Sequence, residues 1–185
     1  MKNDLIEKIN IDKLEFVKYL DYNEIKSIIS DLAERINDDY KDKDTLFIVV
    51  LRGAAFFATR LIQELDISCQ IEFIFSKSYY ESMISSKEPV ISEFNFELKD
   101  RDIIIIEDII DSGHTLFALI QKITDYSPSS VEVVTLLSKP ESREVIVDVK
   151  YIGREVPSDY VIGFGFDYRE KYRHLKSIYK LSGKK

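Results

Sequence analysis

The sequence contains little cysteine and no long run of apolar residues. A single cysteine, Cys69, among 185 residues excludes an internal disulfide framework and is compatible with a reducing compartment. The first residues, 1–5, lack the apolar core of a signal peptide, and no apolar run approaches the roughly 20 residues that span a membrane. We therefore expect a cytoplasmic protein that does not interact with a membrane.

A surplus of positive charge is also missing. The chain has 26 lysines and arginines against 33 aspartates and glutamates, which gives a formal net charge of -7. This balance argues against a nucleic-acid partner, which would favour a basic face, but it is compatible with a small anionic substrate in a locally positive pocket. The sequence shows no repeat, linker or low-complexity segment. It therefore predicts one domain over residues 1–185 with a substantial core.

The most informative stretch is residues 103–116, IIIIEDIIDSGHTL. Its four consecutive isoleucines predict a strand buried on both faces, as in a parallel sheet. Glu107 and Asp108 close this run, and the turn 111–115 leads into a helical pattern. Small and hydroxyl residues at a strand-to-helix turn can hold a phosphate, and acidic residues beside it can bind sugar hydroxyls or a metal ion. A plain core strand with Asp111 or Ser112 as a helix cap would explain only one of these polar residues.

Strands and helices alternate on both sides of this stretch. Asp21 and Glu24 predict a capping box for a helix that ends in the charged loop 38–44. The remaining predicted elements are strands at 46–51, 71–75 and 131–137, helices at 56–65 and 115–126, and a long polar connection at 76–95. This alternation predicts a parallel sheet with helices on both faces.

Polar residues follow the predicted strands, and they are Arg52, Ser78, Glu107 and Lys139. Ligands of such sheets bind at the carboxyl ends of the strands, so we expect these side chains to converge on one edge. Beyond Lys139 the pattern changes, and further strands are predicted at 145–152 and 161–164. Residues 1–20 are expected to form an N-terminal arm that packs over another part of the protein.

The turn at 107–115 resembles the phosphoribosyl-pyrophosphate signature of the type I phosphoribosyltransferases. Three other segments extend the resemblance from about residue 20 to about residue 180. Residues 51–54 resemble the pyrophosphate loop, and Ser78-Tyr79 resembles the pair on the flexible active-site loop. Lys139-Pro140, with residues 156–163 and 167–173, resembles the purine-recognition tail of the hypoxanthine-guanine branch.

The resemblance implies a fold and an activity. The fold is α/β, with a central parallel sheet flanked by helices and a small hood built from the N-terminal and C-terminal segments, the latter at about 139–185. The activity is a glycosyl transfer in purine salvage, from 5-phospho-α-D-ribose 1-diphosphate to hypoxanthine and also guanine. The products are the 5′-mononucleotide and pyrophosphate. Magnesium is the implied cofactor, and a homodimer or homotetramer is the implied assembly.

The resemblance also implies roles for residues that would bind the phosphoribosyl donor. Glu107 and Asp108 would hold the ribose hydroxyls, directly or through magnesium, and Asp167 would be a further magnesium ligand near the pyrophosphate. The peptide bond Leu51–Arg52 would be cis. The 5′-phosphate would be cradled by Asp111, Ser112, Gly113, His114 and Thr115, and the pyrophosphate would be contacted by Arg52, Gly53, Ser78, Tyr79 and Arg173.

For the purine, the resemblance implies four residues. Lys139 would donate to the 6-oxo group, the ring of Tyr160 would stack on the base, and Val161 would pair with the base edge through its backbone. Asp111 would lie near N7, as a general base or acid or as a negative charge facing the transition state. His114 occupies a variable position and is either a phosphate neighbour or merely exposed.

Some features depart from the family pattern or leave alternatives open. Arg52 stands where lysine is frequent, and Ala54 where glycine or serine is common. Tyr80 to Ser82 replace the glycine that many relatives have after the Ser-Tyr pair. A regulatory protein that binds the donor on the same fold is one alternative. A phosphoribosyltransferase for xanthine or another base is a second, because contacts to the 2-position are mostly made by backbone.

Overall fold

The computed structural model describes residues 6–77 and 89–184. Ten strands and three helices are found in these ranges, and none of the helices is long and apolar enough to cross a membrane. The strands are β1 (Lys8–Ile11), β2 (Leu14–Leu20), β3 (Thr45–Leu51), β4 (Cys69–Lys77), β5 (Val90–Ile91), β6 (Asp102–Ile110), β7 (Ser130–Ser138), β8 (Tyr151–Glu155), β9 (Val161–Ile162) and β10 (Ile178–Lys184). The helices are α1 (Tyr22–Tyr40), α2 (Ala54–Ile62) and α3 (His114–Thr124).

The larger sheet has six strands in the order β5-β4-β3-β6-β7-β8, and all neighbours are parallel except the β4–β5 pair. Its central strands are buried on both faces because side chains alternate between two cores. Ile104 and Ile106 of β6 pack in the core formed with α1 and α2. Ile103 and Ile105 pack in the core formed with α3. The predicted parallel sheet with helices on both faces is therefore confirmed.

Helix α1 begins as the sequence predicted. The Asp21 carboxylate accepts hydrogen bonds from the N–H groups of Asn23 and Glu24, and Glu24 accepts from the Asp21 N–H at 2.9 Å. The helix runs to Tyr40, three residues into the stretch predicted as a loop, because the ring of Tyr40 is fully buried against the sheet. Burial of this aromatic residue outweighs the polar character of its neighbours.

The smaller sheet is the hood, and it is antiparallel with the order β1-β2-β10-β9. Its strands come from the two ends of the chain, so the predicted hood of N-terminal and C-terminal segments is confirmed. Its core includes Phe16, Ile162 and Tyr179, all fully buried. The predicted N-terminal arm thus supplies two regular strands.

The predicted strand at 145–152 was wrong over most of its length. Strand β8 begins only at Tyr151, and residues 145–150 belong to no strand. Val147 and Val149 face the α3 core while Ile146 is 94% exposed, which explains the alternating pattern. The N–H groups of Glu144 and Val145 bond to the loop after β6, so this segment crosses the end of the sheet before it can pair with β7.

Candidate active site

A strand-to-helix turn forms the floor of the first cavity. Gly113, between β6 and α3, has a φ of 90°, a left-handed conformation that suits glycine. The carbonyl of Ser112 accepts hydrogen bonds from the N–H groups of Glu144 and Val145, at 2.9 and 3.1 Å, which fixes the turn against the following segment. The first turn of α3 lines this space with Thr115 and Leu116, and the N–H groups of a first helical turn have no partner within their helix, so they can bind an anion. We call this space of about 690 Å³ the loop cavity, and it is lined by residues 107–113, 115–116 and 141–144.

A second space of about 330 Å³, the arginine cavity, adjoins the first. Arg52 and Arg173 line it, and so do Gly53, Ser76 and Asp167. Glu107, Asp108 and Thr115 line both cavities, which places the acidic pair at their junction. One bound molecule can therefore reach both cavities while its centre lies beside the carboxylates.

The two carboxylates at this junction have no ion-pair partner among residues 6–77 and 89–184. Glu107 is buried, and burial raises its pKa, as does the charge of the neighbouring Asp108. The pKa of Asp108 is also raised, chiefly by burial. A Cβ atom on Gly53 would lie 1.7 Å from Oδ2 of Asp108, so glycine is the residue that leaves room for this carboxylate.

The arginine cavity contains a network of ion pairs. Arg173 donates to Asp167 Oδ1 at 2.7 Å and to Glu170 Oε2 at 3.2 Å, and Arg52 donates to the same Glu170 oxygen at 2.9 Å. The Leu51–Arg52 peptide bond is cis, as the resemblance implied. The predicted pyrophosphate residues Arg52, Gly53 and Arg173 thus lie together. Ser78 and Tyr79, which complete that prediction, lie outside the described residues.

On the other side of the loop cavity lies a buried lysine. The side chain of Lys139 is 8% exposed, and its Nζ donates to Asp111 Oδ2 at 2.8 Å. Arg143 lies nearby, and its Nη2 donates to Ser138 Oγ at 2.9 Å. The Nη1 of Arg143 is buried and has no hydrogen-bond partner within the described part of the chain. Lys139 and Arg143 therefore place hydrogen-bond donors for a ligand at one end of the cavity.

The hood supplies an aromatic residue and a free backbone edge. The ring of Tyr160 lies edge-on to Phe16 and Tyr168, at 6.4 and 6.2 Å, and its hydroxyl donates to the carbonyl of Asp167 at 2.7 Å. Strand β9 is at the edge of the hood sheet. Val161 lies opposite Lys180 of β10, and the carbonyl of the preceding residue, Tyr160, accepts a hydrogen bond from the Leu181 N–H. Because hydrogen-bonded and non-bonded positions alternate along an antiparallel pair, the N–H and C=O of Val161 point away from β10.

Sequence reasoning assigned no role to two residues at or beside these cavities, Glu170 and Arg143. Glu170 lies inside the segment 167–173 that carries the resemblance, but its contact with Arg52 joins residues 118 positions apart, which no local pattern reveals. Arg143 lies outside the segments that carry the resemblance. His114 pairs with Glu144 at 2.9 Å at the mouth of the loop cavity. Within residues 6–77 and 89–184, no three histidine, cysteine, aspartate or glutamate side chains are close enough to hold a metal ion by themselves.

The fold and these two cavities define a class of protein. Over residues 18–172 the chain matches the family model of the phosphoribosyl transferase domain. The chain therefore belongs to the phosphoribosyltransferase family, and the α/β fold with its hood is the type I fold that the sequence predicted.

Within this family, the chain is similar to enzymes that act on hypoxanthine. It is 36% identical over 161 residues to the hypoxanthine phosphoribosyltransferase of Escherichia coli K12, covering 85% of this chain and 90% of that protein. It is 38% identical over 162 residues to the hypoxanthine-guanine phosphoribosyltransferase of Mycobacterium avium, covering 84% and 80%. The crystal structure of a Staphylococcus aureus hypoxanthine phosphoribosyltransferase superposes with a TM-score of 0.84 at 33% identity, covering 89% and 90% of the two chains.

Proposed function

We propose that this protein is a purine salvage enzyme. It transfers the phosphoribosyl group of 5-phospho-α-D-ribose 1-diphosphate to hypoxanthine, and also to guanine, and it releases the mononucleotide and pyrophosphate. The observation that carries this proposal is the ion pair between the buried Lys139 and the more exposed Asp111, a residue that lines the loop cavity in the proposed phosphate-binding turn. The relatives named above act on hypoxanthine, which supports the same assignment.

In the proposed arrangement, each cavity binds one end of the donor. The N–H groups of the turn 111–115 hold the 5′-phosphate at the N-terminus of α3. Arg52 and Arg173 hold the pyrophosphate in the arginine cavity. The ribose then lies at the junction, where Glu107 and Asp108 accept hydrogen bonds from its hydroxyls.

The purine lies between Lys139 and the hood. The Lys139 ammonium donates to the 6-oxo group, the ring of Tyr160 stacks on the base, and the outward-facing backbone of Val161 binds its edge. As the base attacks C1 of the ribose, the bond from C1 to the pyrophosphate oxygen breaks and positive charge develops on the ribose. Asp111 stabilises this charge and can accept a proton from the base.

We propose magnesium as the cofactor. The carboxylates of Glu107 and Asp108, which have no ion-pair partner in the described part of the chain, are oxygen ligands of the kind that magnesium prefers, and Asp167 lies in the adjoining cavity. Because no three acidic side chains are close enough to hold an ion by themselves within the described ranges, these residues would share the ion with oxygens of the donor. When bound, magnesium neutralises charge on the leaving pyrophosphate. Equal product formation in excess chelator would contradict this assignment.

A panel of nucleobases tests the proposal. Purified protein is incubated with the donor, magnesium, and hypoxanthine, guanine, xanthine or adenine in turn, and the product mass is measured. Hypoxanthine should be used, and adenine should be used about 10⁴-fold less efficiently, because its 6-amino group presents donors to the donors of Lys139. Comparable use of adenine would overturn the assignment.

Two variants sharpen this test. Lys139→Ala should lower kcat/KM for hypoxanthine by about 10- to 100-fold, since about 1.4 kcal/mol corresponds to tenfold and a bond to a charged group is worth somewhat more. Donor binding should change little. Lys150→Ala is the matched control, because Lys150 pairs with Asp39 beside the amino end of β8, away from both cavities. An unaffected Lys139→Ala variant would move base recognition away from this lysine.

We further propose that residues 1–185 form one domain of a cytoplasmic homo-oligomer, a dimer or tetramer. The acidic composition and the single cysteine support the cytoplasmic assignment. For the Trypanosoma cruzi hypoxanthine phosphoribosyl transferase, the C-terminal region has been studied for its role in oligomeric state, and the TM-score to that chain is 0.84. Light scattering after size-exclusion chromatography measures the assembly, and a monomeric mass would contradict the proposal.

A further inference from the structure

Glu170 lies between the two arginines of the arginine cavity. One of its oxygens, Oε2, accepts a hydrogen bond from Arg52 at 2.9 Å and from Arg173 at 3.2 Å. A carboxylate oxygen shared by two guanidinium groups has the same chemistry as a pyrophosphate oxygen in this place. We propose that Glu170 is an internal competitor of pyrophosphate, which must be displaced before the pyrophosphate group binds and which returns when it leaves. This inference rests on the proposed function.

The backbone holds Glu170 in this position. Tyr168 and Lys171 form an antiparallel bridge, and the two residues between them, Arg169 and Glu170, both have a positive φ, as in type I′ hairpin turns. Such turns favour glycine and asparagine, and neither residue is present here. The Glu170 N–H donates to Asp167 Oδ2 at 2.8 Å, which closes the turn. The carboxylate is therefore presented by an ordered hairpin.

The exposure of these groups makes displacement feasible. The side chains of Arg52 and Glu170 are 59% and 66% exposed, and exposed ion pairs are weak because water solvates both partners. A magnesium pyrophosphate carries more charge and more oxygens than one carboxylate, so it can replace Glu170 on both arginines. Arg173 keeps its bond to Asp167 at 2.7 Å, which leaves that arginine oriented during the exchange.

Glu170 either competes with pyrophosphate or holds the arginines in place for it, and these two roles predict opposite changes in pyrophosphate affinity when Glu170 is replaced. If Glu170 competes, Glu170→Gln should bind inorganic pyrophosphate about three- to tenfold more tightly than the wild type, since an exposed pair contributes little and two pairs are lost. If Glu170 instead holds the arginines in place for the ligand, its loss should weaken binding. Calorimetric titration of each protein with inorganic pyrophosphate in excess magnesium measures this change in affinity directly, without any turnover.

Two further variants complete the experiment. Glu170→Ala removes the side-chain hydrogen bonds that glutamine could keep, and it should tighten pyrophosphate binding at least as much. Glu7→Gln is the control, because Glu7 is an exposed glutamate paired with a lysine in the hood and its replacement changes the net charge equally. Pyrophosphate binding by Glu7→Gln should equal that of the wild type.

A second ligand separates this inference from the proposed function. Inosine 5′-monophosphate without pyrophosphate does not bind to Arg52 or Arg173 in the proposed arrangement, so its affinity should be the same in wild type and Glu170→Gln. Unchanged or weaker pyrophosphate binding in both Glu170 variants would overturn the inference, and so would an equal gain in affinity for both ligands. A wild-type protein that converts hypoxanthine normally would leave the proposed function standing in either case.

Discussion

The clearest steric test of the site is the replacement of Gly53 by alanine. Gly53 lies at the start of α2 with a φ of -60° and a ψ of -46°, a conformation that alanine adopts without strain. The change at this helix end should cost about 1 kcal/mol or less in the free energy of unfolding. The main effect should therefore be on Asp108, whose Oδ2 would lie 1.7 Å from the new methyl group.

Asp108 can avoid this contact only by moving. Its carboxylate must shift by more than about 1.5 Å to reach an ordinary van der Waals distance, which breaks the hydrogen bond that Oδ1 accepts from the Ile109 N–H at 2.9 Å. A misplacement of about 1 Å at a reacting centre can cost about 100-fold in rate. We expect Gly53→Ala to lower kcat/KM for the donor by about 100-fold.

The measurement combines initial rates at varied donor concentration with thermal unfolding. Gly183→Ala is the matched control, because nothing lies within 4 Å of the Cβ position at Gly183 in β10. Its kinetics should match those of the wild type. Wild-type kinetics in Gly53→Ala itself would refute the assignment of Asp108 to the donor site.

Three further predictions follow from single contacts. Asp111→Ala should lower kcat by about 10²–10⁴ while donor binding measured by calorimetry changes little, and near-native turnover would contradict its role. Tyr160→Phe should keep the KM for hypoxanthine but lose about 1 kcal/mol of unfolding free energy with the hydroxyl bond, whereas Tyr160→Ala should raise that KM about tenfold. The hydroxyl of Tyr151 donates to Asp39 at 2.6 Å, and this hydrogen bond lowers the pKa of Asp39. The hydrogen bond therefore contributes fully to stability above the pKa of an unfolded aspartate, about 3.9, and this contribution is lost as the pH falls through the lower pKa of the folded protein. The melting temperatures of wild type and Tyr151→Phe should therefore differ at pH 7 and approach each other as the pH falls through the lowered pKa of the folded Asp39, and a difference that does not depend on pH would contradict this reasoning.

The parts of the fold that the sequence predicted best depend on residues that are close together in the chain. The isoleucines 103–106 predict a buried strand because a short run of β-branched apolar residues without alternation suits a strand that is buried on both faces. The Asp21 capping box forms within four residues of chain. In both cases the pattern and the contact that produces it lie in the same short segment, so the sequence predicts them without knowledge of the rest of the chain.

The hood could be expected from family resemblance but not from its own residues. Strand β2 pairs with β10 across the whole length of the chain, and the hydroxyl of Tyr179 donates to the carbonyl of Ile6. No local pattern encodes a contact between residues 173 positions apart. The same limit explains the wrong strand at 145–152, where Val147 and Val149 alternate as a strand would but pack on α3 instead.

The proposed site likewise combines groups from one short segment with groups that only long-range pairing brings together, and this difference affects how function can be assigned from sequence. The groups proposed for the ribose and the 5′-phosphate of the donor, Glu107 to Thr115, lie at the end of β6 and in the turn after it and form one motif, so a sequence motif can indicate this part of the donor chemistry by itself. The groups proposed for the base come from the end of β7 and from the hood, and their arrangement depends on long-range pairing of β9 with β10. A protein could therefore keep the donor motif and change its acceptor by altering the hood. The identity of the base is thus the part of the proposal that most needs the nucleobase panel, and Lys139 is the residue on which its outcome depends.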